Sequence, residues 1–207
     1  AEFLGDPDFY PVPVESLTSA SYNLDRMNNF DPGKATPSAE IKAGNPVKKE
    51  SEETTHISVV DHEGNAVSLT TTLNEWFGNK VVVAGSGFFL NDEMDDFSAK
   101  PGVPNMFGLL GGEANKIEPG KTMLSAMTPT IVEKENKLFM VVGSPGGSTI
   151  ITSVFQVILN VLEFDLGLKD AVHKPRFHHQ WQPDKLYVER NKFSKSTLQK
   201  LQGMGHY

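Results

Sequence analysis

Between Ile150 and Phe164 the chain carries Ile150, Ile151, Val154, Phe155, Val157, Ile158, Val161 and Leu162 at the spacing of an α-helix. An apolar stripe this wide predicts a helix that is largely buried. The preceding segments supply the cover. "THISVVD" and "AVSLTTTLN" are β-rich runs around the turn signal "HEGN". "MTPTIVEK" and "LFMVVGS" flank "ENK" in the same way, and "KVVVAGSGFFL" reads as a strand, a glycine break and another strand. Hairpins followed by a buried helix predict sheets covered by helices. Ser148 or Thr149 stands where a cap for that helix belongs. Beyond it, "GLKDAVHKPRF" reads as a short helix stopped by Pro175 and "LYVER" as a short strand. "SKSTLQKLQGMG" reads as a last helix capped by Ser194 or Ser196.

The first quarter of the chain has a different character. "GDPDFYPVPVESLTS" is rich in Pro and Asp and predicts extended segments and turns, with one short helix after Val14. "NFDPGKATPSAEIKAGNPVKKESEE" reads as an exposed, mobile tail, either a plain linker or the leader of a precursor. At Thr54 it meets the first strand-like run abruptly.

A length of 207 residues allows one large domain or two small ones. The net charge of -7 comes with no basic patch, which argues against a nucleic-acid partner. The longest apolar stretch is interrupted by Thr152, Ser153, Gln156, Asn160 and Glu163, too short and polar for a membrane span. No signal peptide is evident in these residues. Cysteine is absent, so disulfides and cysteine-based metal or nucleophile sites are excluded.

Three stretches could carry chemistry. In "VVGSPGGSTIITSVFQVIL" a strand runs through Gly143, Gly146 and Gly147 into a helix. Backbone N–H groups left unshielded beside a helix N-terminus suit an anion, a phosphate or the oxyanion of an acyl-transfer intermediate. The plainer reading is a tight strand-to-helix turn, and the lysine of a P-loop is missing. In "LNDEMDDFSAKPG" the polar run from Asn91 to Asp96 is either a solvated turn or a site for a substrate ammonium, with Asp96 a candidate carboxylate. It lacks the spacing of a calcium loop.

Thr54 is the third. A threonine hydroxyl is a poor nucleophile without a base. A cut before Thr54 would create an α-amine on the same residue, with a pKa near ~8, able to act as that base. Counting back from the "HEGN" turn sets Thr54 opposite Thr72 or its neighbour, with Asn74 close by. The histidines are weaker signals. His56 reads as a strand residue. His178 and His179, adjacent in an extended run, point to opposite faces and make no metal pair, and no metal-ligand spacing occurs.

"TTHISVVDHEGNAVSLTTTLNEWFG", "LNDEMDDFSAKPGVPN", "LSAMTPTIV", "GSPGGS" and "PRFHHQW" stand in this order. Together they resemble the small subunit of a bacterial gamma-glutamyltranspeptidase, a member of the N-terminal nucleophile hydrolases. The likeness runs from about residue 54 to 190. "LGDPDF" and "PVPVESLTS" resemble the end of that family's large subunit. The resemblance implies an α+β fold, a four-layer αββα sandwich, here incomplete. It implies residues 1–53 as the C-terminal part of the large subunit and 54–207 as a C-terminally truncated small subunit.

The resemblance also implies roles. Autocatalytic cleavage would fall between Glu53 and Thr54, making Thr54 the N-terminal nucleophile, oriented by Thr72. Gly146 and Gly147 would form the oxyanion hole. Asn74, Glu93 and Asp96 would hold the α-amino group of a γ-glutamyl substrate, and Ser125 its α-carboxylate. Where the family has a second serine this chain has Ala126, so one hydroxyl contact is lost. "PNMFGLLGG" resembles a lid over the substrate, with Phe107 at its aromatic position. Expected partners are glutathione or a related γ-glutamyl compound, a water, amine or dipeptide acceptor, and the remainder of the large subunit. No metal or organic cofactor is implied. The expected location is periplasmic or secreted. A chain with an intact Glu53–Thr54 bond, or lacking most of the large subunit, is expected to be inactive. A cephalosporin-type glutaryl acylase and a non-catalytic binding module are the alternatives. The acylase substrate lacks the α-amine that Asn74, Glu93 and Asp96 would hold.

Overall fold

The computed structural model describes residues 3–41, 54–103, 111–181 and 183–206. They divide into two compact units that interleave along the chain. One comprises Ala1–Lys48, Asp95–Leu124 and His179–Tyr207; the other comprises Lys49–Met94 and Ser125–His178.

The second unit holds two antiparallel hairpins. Strand β1 (Thr54–Val60) pairs with β2 (Ala66–Thr72), and β3 (Thr130–Lys134) with β4 (Lys137–Val142). Asp61 closes the first turn by accepting the N–H groups of Glu63 and Asn65, both at 2.9 Å, while Gly64 takes φ +88°. Glu135 and Asn136 both take positive φ, as a two-residue turn between strands requires. The first hairpin runs in unbroken register; the second has an irregularity between Val132 and Glu133.

Helix α3 (Thr149–Leu162) follows β4 and packs its inner face into the core. Ile150, Val154 and Val157 are 1%, 3% and 6% exposed, beside Met140, Val142 and Ala171. Full burial of one such side chain contributes about 1.5–3 kcal/mol. The burial expected for the whole stripe holds for that face only, since Ile151 and Phe155 remain 52% and 58% exposed. The capping expectation fails as well. Ser148 occupies the N-cap position with α-region backbone (φ -65°, ψ -20°), and its side chain makes no cap hydrogen bond. Thr149, inside the helix, turns its hydroxyl back to the carbonyl of Gly146. Helix α4 (Leu168–His173) and the short strand β5 (Phe177–His178) complete the unit. Buried His178 places Nδ1 2.8 Å from Thr152 Oγ1.

"KVVVAGSGFFL" does not form two strands. A single bridge joins Val82 and Phe89, because Lys80, Gly85 and Gly87 all take positive φ and coil the run into turns.

The other unit carries two short helices where one was expected, α1 (Val14–Thr18) and α2 (Ala20–Arg26), then β6 (Tyr187–Val188) and α5 (Lys195–Gly203). Ser19 caps α2 and Ser194 caps α5. The expected tail from Asn29 is anchored as far as Ile41. Trp181 Nε1 donates to the carbonyls of Ser38 (2.9 Å) and Ile41 (3.1 Å), and Asp184 accepts the Ser38 N–H at 2.8 Å. Residues 42–53 of the tail lie outside the described residues. His179 pairs with Asp184 at 3.2 Å.

Candidate active site

The first hairpin separates two kinds of side chain by strand alternation. Thr54, His56 and Ser58 share a face with their cross-strand partners Thr72, Thr70 and Ser68. Ile57, Val59, Val67 and Leu69 share the other face, and all four are about half exposed. The hydroxyl-rich face is the better covered one, with Thr70 buried and Thr54, His56, Ser68 and Thr72 half-buried. Ser68 Oγ donates to the carbonyl of Val142 at the end of β4, 3.3 Å away. The polar face therefore looks toward β4 and the glycine turn that follows it.

Thr54 is the first residue of β1 and stands directly across from Thr72, one of the two registers expected. The chain leaving β2 turns sharply at Asn74, which is buried at φ 76°. Its N–H donates to Thr72 Oγ1 at 2.9 Å and its Nδ2 to the carbonyl of Asp92 at 3.3 Å. Asp92 adds two bonds, accepting the Glu75 N–H at 2.9 Å on its carboxylate and donating its own N–H to the Leu73 carbonyl at 3.1 Å. These contacts strap the acidic run onto the end of β2. Glu93 opens a 3-10 turn there, and its carboxyl titrates above the ordinary value, chiefly through burial and then through the charge of Asp92.

Between β4 and α3, Gly146 takes φ +129° and Gly147 +53°. The Gly146 carbonyl accepts from Thr149 N–H (3.0 Å) and Oγ1 (2.6 Å), and the Gly147 carbonyl from Ile150 N–H (3.2 Å). A side chain at 146 would be strained and would meet Thr149 Oγ1 at 2.5 Å. Ser125 Oγ accepts the Met127 N–H at 3.1 Å, and the Ala126 carbonyl accepts from Thr128 Oγ1 at 2.9 Å.

One unit therefore contains Thr54, Thr72, Asn74, Glu93, Ser125, Ala126, Gly146 and Gly147. Asp96 ends the 3-10 turn in the other unit, where its carbonyl accepts from Asn115 Nδ2 at 2.8 Å. Glu53 and Phe107 lie outside the described residues. From the sequence His56 reads as a plain strand residue, and Asp92 falls in the polar run from Asn91 to Asp96 without a role of its own. Asp92 acts through partners up to 19 positions away in the chain, among them Leu73 and Asn74, beyond any local pattern. Among the described residues no group of three or more His, Asp or Glu is arranged to hold a metal ion.

The family model for gamma-glutamyltranspeptidase matches residues 1–207. The chain belongs to the gamma-glutamyltranspeptidase family. It is 52% identical over 205 residues to the glutathione hydrolase proenzyme of Escherichia coli strain K12, a match covering 99% of this chain and 35% of that protein. The chain thus spans about a third of the length of the curated relatives it matches. A solved mutant of the Helicobacter pylori gamma-glutamyltranspeptidase is 54% identical, with a TM-score of 0.71 over 73% of this chain and 82% of that one. The α+β fold of the N-terminal nucleophile hydrolases, expected from the sequence, is the fold these gamma-glutamyltranspeptidases share. A cephalosporin acylase from Bacillus halodurans has it too, with a TM-score of 0.73 at 22% identity over 99% of this chain and 34% of that one.

Proposed function

We propose that the protein containing this chain is a γ-glutamyltransferase and hydrolase that acts on glutathione and related amides through Thr54. One observation carries the reading: Thr54 starts β1 directly opposite Thr72, in the same compact unit as the Gly146–Gly147 turn. The family supports it, since the relative at 52% identity is named a glutathione hydrolase proenzyme.

The chemistry follows from the position of Thr54. Cleavage before Thr54 frees an α-amine that takes the proton of its own hydroxyl. The hydroxyl oxygen then attacks the γ-glutamyl carbonyl, the amine of the substrate leaves with a proton, and an ester on Thr54 remains. Water, an amine or a dipeptide resolves that ester and restores the free hydroxyl. Thr72 orients the nucleophile, and the Gly146 and Gly147 N–H groups receive the oxyanion, a contribution of roughly 10²–10³ in rate per donor. Asn74 and Glu93 hold the α-ammonium of the substrate and Ser125 its α-carboxylate. Ala126 supplies only backbone at its position. Acyl transfer of this kind asks for no cofactor.

In this reading residues 1–53 end a large subunit and 54–207 form the catalytic part of the small one. The two remain associated after the cut with the remainder of the large subunit. No helix among the described residues is long and apolar enough to cross a membrane. A periplasmic or secreted site of action is part of the proposal, as in bacterial enzymes of this kind.

The test is the intact mass of the full-length parent protein, wild type beside Thr54→Ala, after incubation at neutral pH. Scission before Thr54 in the wild type alone supports the reading. An unsplit wild type points instead to a non-catalytic module. Turnover of γ-glutamyl against glutaryl anilides by the split enzyme separates a transpeptidase from an acylase.

A further inference from the structure

His56 makes contacts that a plain strand residue does not need. Its Nδ1 lies 2.8 Å from Thr70 Oγ1, directly across the hairpin, and its Nε2 lies 2.9 Å from Ser58 Oγ, two residues along the same face. A hydroxyl can donate or accept, so both bonds form with either ring tautomer. The imidazole is held flat along the polar face of the hairpin, with both nitrogens occupied.

The outer side of that ring rests on Gly143. A Cβ built on Gly143 would overlap His56 Cγ, Nδ1 and Cε1. Gly143 is not among the glycines with positive φ, so its backbone would accept any residue. Room for the imidazole is what demands a glycine there. Ser68 makes a second tie one residue earlier, to the carbonyl of Val142.

These positions bracket the proposed chemistry. His56 is two residues beyond Thr54 on the same strand face, about 6–7 Å along it. Gly143 is three residues before Gly146. The ring thus stands between the strand that carries the nucleophile and the turn that carries the oxyanion donors.

We propose that His56 is a positioning residue: its imidazole, seated on Gly143 and tied to Thr70 and Ser58, sets the spacing between Thr54 and the Gly146–Gly147 turn. The inference rests on the Thr54 reading given above. His56 carries no proton in the reaction; it fixes where the reacting groups stand. A misplacement of about 1 Å at such a site lowers the rate on the order of 10²-fold.

Compensation between the two partners tests it, in the full-length protein with a γ-glutamyl anilide as substrate. Gly143→Ala drives a methyl group into the ring. It is expected to slow both self-cleavage and kcat by roughly 100-fold while KM stays within about twofold. His56→Asn keeps a polar group near Thr70 and frees the space over residue 143, with a loss of about tenfold. The double variant His56→Asn/Gly143→Ala is expected to match His56→Asn, because the collision no longer exists.

Wild-type rates in Gly143→Ala overturn the proposal. So does a double variant whose losses are the product of the two single ones. If Gly143→Ala fails to fold, the comparison of His56→Asn with the double variant decides alone, and a double variant that is slower or unfolded overturns it. Thr54→Ala in the same series keeps the two claims apart. Its retention of self-cleavage and turnover sinks the Thr54 reading. An inert Thr54→Ala together with absent compensation sinks only the role of His56.

Discussion

Thr72 faces Thr54 across the hairpin, and its hydroxyl oxygen receives the N–H of Asn74 at 2.9 Å. That bond fixes the Thr72 side chain relative to the strand end, which is what an orienting hydroxyl needs. Thr72→Val keeps the branched shape and removes the oxygen. We expect kcat/KM for a γ-glutamyl anilide to fall on the order of 100-fold. The orphaned Asn74 N–H costs about 1 kcal/mol of stability in addition. Thr72→Ser, which keeps the oxygen, should recover most of both losses in kinetics and in urea unfolding.

Glu93 supplies a pH dependence with a defined sign. Burial, and then the charge of Asp92, raise its carboxyl above the ordinary 4.5. The folded protein therefore holds this proton more tightly than the unfolded chain does. Its contribution to stability is greatest at low pH and declines as pH rises from 4.5 through the raised value. Binding a substrate ammonium needs the ionised form. KM for the γ-glutamyl donor should thus rise as pH falls through the raised pKa of Glu93. Glu93→Gln should raise KM at neutral pH and flatten that limb, and a profile unchanged by the substitution would remove Glu93 from the substrate site.

How much of this was legible in the sequence depended on the range of the interaction. The Thr54–Thr72 pair could be counted back from the "HEGN" turn, because strand side chains alternate and a short turn sets the register. The glycine turn before α3 was legible because Gly146 and Gly147 sit between an apolar strand and a periodic helix. The periodicity of α3 gave the helix but overstated its burial: it marks which residues are apolar, not whether anything covers Ile151 and Phe155. Ser148 had the right side chain for a cap and the wrong backbone for it. "KVVVAGSGFFL" had the β-branched content of strands, but positive φ at Lys80, Gly85 and Gly87 breaks the ladder. The Asp92 strap and the fit of His56 on Gly143 join residues distant in the chain, so no local pattern announces them.

Gly146 tests the turn. At φ +129° an alanine is strained by about 1–3 kcal/mol, and its methyl would meet Thr149 Oγ1 at 2.5 Å. That hydroxyl holds the Gly146 carbonyl, so Gly146→Ala should loosen the first turn of α3 as well. Expected results are a lower midpoint in thermal unfolding and a fall in kcat on the order of 10²-fold, because alanine keeps the N–H but shifts the turn that aims it. Thr149→Ser keeps the hydroxyl and should keep most of the activity. A Gly146→Ala enzyme with normal kcat would exclude the oxyanion role for this turn.

Trp181 and Asp184 test the anchor on the residues that precede the proposed cut. Asp184 accepts the Ser38 N–H, and that bond, with help from His179, holds its carboxyl below the ordinary 3.8. A depressed carboxylate stabilises the fold above its unfolded pKa and loses that contribution as pH falls through the folded value. Asp184→Asn should therefore cost about 1 kcal/mol at neutral pH, kept small by the exposure of the group, and the deficit should close toward low pH. Trp181→Phe removes a neutral donor shared by the carbonyls of Ser38 and Ile41, with an expected cost of about 1–2 kcal/mol. No charge is involved, so this second deficit should not change with pH. Urea unfolding of the full-length protein at neutral and acidic pH distinguishes the two. In the cleaved protein these bonds would join the two products, so both variants should also release residues up to Ile41 more readily. Size-exclusion chromatography after processing reads that release, and intact association in both variants would mean that other contacts hold the subunits together.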